Sequence, residues 1–212
     1  MNASSDLAHD RVFKRVLLLY GLFMLLSNAA YVLAYYFLPE GFLRGSPVQT
    51  TARVAATGTF WSQMALTFLM NLGLLLVFSV CLNLFQVRGF PVGYLWPIVT
   101  AVQSGVVAGT NSFLLSDLTK VNVRDGTAMS LSIGGLEFLA YILVIASTVS
   151  LVVYQFNSWT QLRPTKLKNL RDVRLSRAEV LCLIGGIALL FVAAYLETVF
   201  STRLMNFDTQ IR

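Results

Sequence analysis

The chain has 212 residues, 56% of them hydrophobic and only 12% charged, with a formal net charge of +6; soluble domains carry about 25% charged residues. One soluble core cannot absorb that much apolar side chain, whereas a bilayer accepts helices that are apolar on every side, each about 20 residues long. The composition excludes an ordinary soluble enzyme. The Lys and Arg residues lie between apolar runs rather than along one face, so they read as topology and headgroup signals and exclude nucleic acid as a partner.

The expected fold class is all-α, a polytopic membrane helix bundle of about five transmembrane helices in a single domain spanning residues 1–212. Residues 1–15 form a tail with Arg11, Lys14 and Arg15. The apolar run 16–37 has no A-x-A site and exceeds the roughly 7–15 residues of a cleaved signal's apolar core, so it is predicted to stay as helix one. Pro39, Gly41, Gly45 and Pro47 break it.

Helix two is predicted over 61–85, inside a stretch free of Lys, Arg, Asp and Glu, and it ends at the short turn QVRGFP. Helix three follows over 92–115 with Pro97 near its start, where a missing backbone donor costs least. Helix four is predicted over 128–156, longer than a span needs and interrupted only by Glu137. The loop 160–179 is the most basic part of the chain, with Arg163, Lys166, Lys168, Arg171, Arg174 and Arg177. It reads as a flexible cytoplasmic loop or a short surface helix contacting anionic lipid or an acidic partner. Its end, Ser176-Arg177-Ala178-Glu179, fits a capping box that starts helix five near Arg177, with 180–200 in the membrane.

With a cytoplasmic N-terminus, ten Lys and Arg fall inside (Arg11, Lys14, Arg15, Arg88 and the six of the basic loop). Six fall outside, namely Arg44, Arg53, Lys120, Arg124, Arg203 and Arg212. The positive-inside rule then favours N-inside and C-outside, in the manner of a bacterial cytoplasmic membrane protein.

Among polar residues within the predicted spans, Glu137 is the first candidate, because an intramembrane carboxylate is costly and usually faces a bundle interior. Asn71, Gln103 and Asn111 complete the set of intramembrane polar residues. Gly105 and Gly109, in GVVAG, form a small-residue seam for helix packing or self-association, and Gly134 is a further packing glycine. Cys81 and Cys182 lie in separate apolar runs and the single His9 is in the tail, so no metal site, cofactor or catalytic set is expected.

The segments FLMNLGLLLVFSV, GFPVGYLWP and GGLEFLAYILVIAST together resemble the stage II sporulation protein M family of integral membrane proteins. The likeness spans about residues 60–155 and includes an Asn at the position of Asn71 and a Gly-x-x-Glu pattern in Gly134-Gly135-Leu136-Glu137. Ser132 and Ile133 stand where that family commonly has a Pro-His pair, so a role tied to that His does not carry over. The resemblance implies a helical membrane protein of similar size, with some members acting in membrane complexes for peptidoglycan remodelling during sporulation.

The expectation is a non-enzymatic membrane subunit that scaffolds a multi-protein complex, with lipids and other integral membrane proteins, or a second copy of itself, as partners. The alternative is a transport or channel component with a mid-membrane polar path around Glu137 and Asn71. A weaker one is an accessory chain holding a pigment, quinone or lipid among its aromatic residues.

Overall fold

The computed structural model describes residues 12–47, 49, 50, 53, 58–119, 122, 123, 134–160 and 163–210. Six helices are named here: α1 (Val12–Phe37), α2 (Phe60–Leu75), α3 (Leu95–Gly109), α4 (Leu114–Thr119), α5 (Gly135–Ser147) and α6 (Arg177–Gln210). A π turn at Leu76–Val80 and a last α turn at Cys81–Asn83 continue α2; a 3-10 turn at Val92–Tyr94 precedes α3, and another at Val149–Leu151 follows α5. Four helical stretches are long and apolar enough to cross a membrane, namely Val12–Phe37, Phe60–Asn83, Val92–Thr119 and Arg177–Met205, while Gly135–Leu151 is a shorter apolar helix. The protein is thus a helical bundle of membrane character.

Its large exposed side chains are those a hydrocarbon solvent would cover, among them Leu17, Leu25, Leu33, Trp61, Leu69, Val99, Leu181 and Ile184. The interior is built of Leu75, Ala101, Ala140, Ile142, Ile145 and Leu190, all fully buried. With lipid outside as apolar as the core, close packing and small residues bring the helices together. A Cβ on Gly105 would collide with the backbone oxygen of Ser27, and one on Gly109 would stand 2.5 Å from that of Tyr31. The predicted GVVAG seam is therefore filled within the chain by α1. Because 105 meets 27–31 and 109 meets 31–35, α1 and α3 run parallel. On the other side Gly186 of α6 receives Ala140, Leu143 and Val144 of α5.

The bundle is all-α as expected, with a minor addition at one end, where four short strands of the described residues form a sheet of order β2-β1-β3-β4. They are β1 (Phe85–Val87), β2 (Phe90–Pro91), β3 (Tyr154–Phe156) and β4 (Thr165–Lys166). Strands β1 and β2 form a hairpin across Arg88-Gly89, both at positive φ (51° and 83°), as a two-residue turn matched to strand twist requires. Strands β1 and β3 pair in parallel, Gln86 opposite Gln155. Since each strand leaves the C-terminal end of a helix, α2 and α5 must run in the same direction.

Helix two thus gives way to strand at Phe85, and predicted helix 128–156 becomes 3-10 turn and strand after Ser147; residues 128–133 lie outside the described set. Predicted helix 92–115 ends at Gly109, since Asn111 has φ of 49°, and resumes as the short α4. Predicted span 180–200 extends to 34 residues in α6, about 51 Å at 1.5 Å per residue, so α6 outreaches a 30 Å hydrocarbon layer. The basic segment is neither structureless nor a surface helix: it contributes β4 and a 3-10 turn at Leu170–Asp172. Apolar composition does not separate a short strand from the end of a helix, and pairing between distant segments decides it.

The capping box at the foot of α6 forms as predicted. Ser176 N donates to Glu179 Oε2 (2.8 Å), and Glu179 N donates to Ser176 Oγ (3.3 Å). The other oxygen of Glu179 accepts from Arg15 Nη2 at 2.8 Å, which ties the start of α1 to the start of α6 at the sheet end. At the far end, Gly41 N donates to Thr110 O (2.6 Å), Leu43 N to Ser112 Oγ (3.1 Å), and Arg53 pairs with Asp117.

Gly105→Leu is expected to lower stability in detergent by about 1–3 kcal/mol, the usual cost of overpacking, by driving α1 off α3. Gly185→Ala, where a new Cβ meets nothing within 4 Å, is the control and should melt like the parent chain.

Candidate functional site

The structure brings Asn71 and Glu137 together. Asn71 Nδ2 on α2 donates to Glu137 Oε1 at 2.8 Å, and the Tyr141 hydroxyl, one turn along α5, donates to the same oxygen at 2.5 Å. Oε1 is thus doubly satisfied, and Oε2 takes no hydrogen bond from a described residue. Glu137 falls in the first turn of the described α5, yet its depth is set by its partner: Asn71 stands eleven residues from Phe60 and twelve from Asn83, the middle of a 24-residue span. Phe138 and Phe23, with centroids 4.3 Å apart, close one side.

A second carboxylate stands on the helix that packs against α5. Glu197 on α6 is exposed on the bundle. It lies twenty residues from Arg177, about 30 Å along α6, which places it toward the end opposite the sheet. From sequence alone Glu197 reads as an interfacial residue. Only the packing of α6 on α5 brings it to the helix that carries Glu137.

A second polar link joins α2 and α5 nearer the sheet. Asn83, fully buried, donates through Nδ2 to Ile145 O (2.9 Å) and Thr148 Oγ1 (2.8 Å). Between the two links Leu75 and Ser79 are also fully buried. A four-residue period drifts around an α-helix of 3.6 residues per turn. The wider π turn at Leu76–Val80 takes up that drift and holds Asn71, Leu75, Ser79 and Asn83 on one face toward α5. Leu75 and Ile142 separate the two polar stations.

The other predicted site residues fall elsewhere. Gln103 is half-buried on α3 and joins neither station. Asn111 sits past the end of α3, at the break within the apolar stretch Val92–Thr119, as the hub of the far-end cap. There it donates to Glu40 Oε1 (2.8 Å) and accepts from Ser116 Oγ (2.7 Å) and Val123 N (3.1 Å). Its left-handed backbone, which Asn tolerates better than most residues, is what ends α3 there. Gly134 stands at the N-terminal edge of α5, whereas the close α5–α6 approach uses Gly186.

Arg163, Lys166, Arg171, Arg174 and Arg177 are exposed at the sheet end, and Lys168 turns inward to donate to Ser150 O at 2.7 Å. Among the described residues no group of three or more His, Cys, Asp or Glu is placed to hold a metal ion.

Comparison with protein-family profiles, curated proteins and solved structures finds no match to this chain.

A double-mutant cycle of Asn71→Leu and Glu137→Gln, followed by reversible unfolding in mixed micelles, is expected to give a coupling of about 0.6 and at most about 1.7 kcal/mol. That is the range of polar contacts between membrane helices.

Proposed function

We propose that this chain is a non-enzymatic membrane transport component that moves protons, with Glu137 as the mid-membrane acceptor and Glu197 as its link to the far end. The observation that carries this reading is the second carboxylate. Glu137, held by Asn71 and Tyr141, locks α2 to α5, and Glu197 stands on α6, the helix packed along α5. Acids on two packed helices are suited to passing a proton from one to the other. Among the described residues the donors to Glu137, Asn71 and Tyr141, are both spent on Oε1, so Oε2 is the oxygen assigned to take and release the proton.

The reading favours a proton over a metal cation, because Asn71 and Tyr141 present N–H and O–H donors to Glu137 rather than oxygen ligands. On the sheet side, Ser79, Asn83 and Thr148 supply the second station, with Leu75 and Ile142 as the apolar barrier between. Transit would require these two side chains to shift.

In proteoliposomes carrying an internal pH dye, the parent chain is expected to dissipate an imposed pH gradient. Glu137→Gln should abolish this flux, and Glu197→Gln should slow it by about 10²-fold or more, the usual scale for loss of a proton-transfer group. Absence of proton flux in the parent chain, or parent-level flux in Glu137→Gln, would overturn the reading.

The proposed orientation places the sheet end and the N-terminus in the cytoplasm of a bacterial cell, supported by the ten-to-six distribution of Lys and Arg. The ion pair Arg15–Glu179 and the sheet support one part of it, that the N-terminal end of α1 and the basic segment share a face. An impermeant thiol reagent added to intact cells is expected to label Thr50→Cys and to leave Lys166→Cys unlabelled.

A second reading, a scaffold subunit of a membrane complex as the resemblance to the stage II sporulation protein M family implies, is favoured by the exposed cations of the basic segment. It has lost the helix-three seam as a docking surface, because α1 fills it. Co-purification of a stoichiometric acidic partner in mild detergent, lost when Arg171 and Arg174 become Gln, is its expected signature.

A further inference from the structure

The basic segment before α6 has a fixed place in the fold that proton movement through Glu137 leaves unused. Strand β4 pairs with β3, Leu167 N donates to Val153 O at 2.8 Å, and Lys168 Nζ donates to Ser150 O at 2.7 Å. Residues 165–168 therefore lie against the end of α5. The apolar helix there ends at Leu151, and the next apolar span starts at Arg177. The segment is thus held level with the ends of two apolar helices, at the height of lipid headgroups, rather than projected into water.

Its exposed side chains are of two kinds. Leu167, Leu170 and, just before the segment, Trp159 are 47%, 66% and 63% exposed. Lys166, Arg171, Arg174 and Arg177 are exposed too, with Lys166 next in sequence to Leu167 and Arg171 next to Leu170. A headgroup layer accommodates this mixture, because leucine and indole enter its apolar side while long cationic side chains stay with the phosphates.

Charge selects the lipid. At the far end, Arg44 and Arg53 face carboxylates of the chain itself, Glu40 at 3.9 Å and Asp117. At the sheet end, residues 148–182 carry six Lys and Arg against two acids. Of those acids, Glu179 is buried against Arg15, and Asp172 accepts from Asn169 Nδ2 at 3.3 Å. Lys14 on α1 and Arg88 in the hairpin add exposed charge at the same end. This excess calls for anions from outside the chain. An acidic protein would also supply them, but the height of the segment beside two span ends sets headgroups against it first.

We infer that residues 163–177 form an interfacial platform that gathers anionic phospholipids of the surrounding leaflet. Lys166, Arg171 and Arg174 contact the phosphates, and Leu167 and Leu170 sit among the upper acyl chains. The platform is independent of Glu137.

The test uses the full chain in vesicles of phosphatidylcholine and phosphatidylglycerol in equal parts, with a fluorescent label at Asn169→Cys in a Cys81→Ser background; Cys182 is buried. A quenching nitroxide on the upper acyl chain is carried by one lipid or the other, so the ratio of quenching reports which lipid stands at the segment. Stronger quenching by phosphatidylglycerol is expected, and molar salt, which shortens the screening length to about 3 Å, should erase the difference. Arg171→Gln and Arg174→Gln should each lower the preference about fivefold, the contribution of one Lys or Arg near an anionic surface. Leu167→Ser with Leu170→Ser should reduce quenching by both lipids alike. All these side chains are exposed, so the variants should melt with the parent chain. Equal quenching by the two lipids, a preference that survives molar salt or the loss of both arginines, or an acidic protein retained on the parent chain that shields the label from both lipids would each overturn the assignment.

Discussion

In a hydrocarbon layer no water is available to a backbone N–H or C=O, so every such group must be paired inside the protein. This constraint orders the rest of the structure. Within the described apolar stretches the backbone is helical, and the strands that follow α2 and α5 begin at Phe85 and Tyr154, where those helices have ended. An open sheet with β2 and β4 at its edges is tolerable there and would not be at mid-span. Asn83 stands at the changeover, donating to the Ile145 carbonyl and the Thr148 hydroxyl at the end of α5 as the chain turns out of helix.

The same constraint sorts the polar side chains. Most bond to their own helix, as Asn28 does to Met24 O, Thr100 to Trp96 O and Thr198 to Ala194 O, and these require no partner helix. Among the described residues, those that reach across between helices include Asn71 to Glu137 and Ser27 to Ser104 within the spans, Asn83 to Thr148 toward the sheet, and Arg15 to Glu179 at the sheet-end boundary. Around them association rests on close approach rather than polarity, through Gly105 and Gly109 against α1 and Gly186 against α5. The polar contacts select which helices meet and in what register, and the glycines let them touch.

The π turn in α2 connects these two orders. A regular helix carrying Asn71 opposite Glu137 would rotate Asn83 away from Thr148; one wider turn restores the alignment without breaking the span. The irregular turn is therefore a condition for two polar stations on one pair of helices, which fits the general tendency of π turns to sit at functional places.

Much of this was legible in the residues themselves. Apolar runs near 20 residues, the Arg88-Gly89 turn, the Ser176–Glu179 box and the cost of a carboxylate at Glu137 are local properties, dictated by transfer free energy and backbone geometry, and they appear in the sequence as composition and short spacing. Tertiary structure alone decided what depends on residues far apart in the chain. Arg15 and Glu179 are 164 positions apart, and nothing near either one announces the other. Glu197 came beside α5 only when α6 packed along it, Gly105 acquired its partner only from α1, and Phe85 and Tyr154 became strands only by lying beside each other. Transfer into the bilayer acts on each segment by itself, so the sequence determines where the chain lives. Pairing depends on which segments end up adjacent, and that is settled only once the helices have packed.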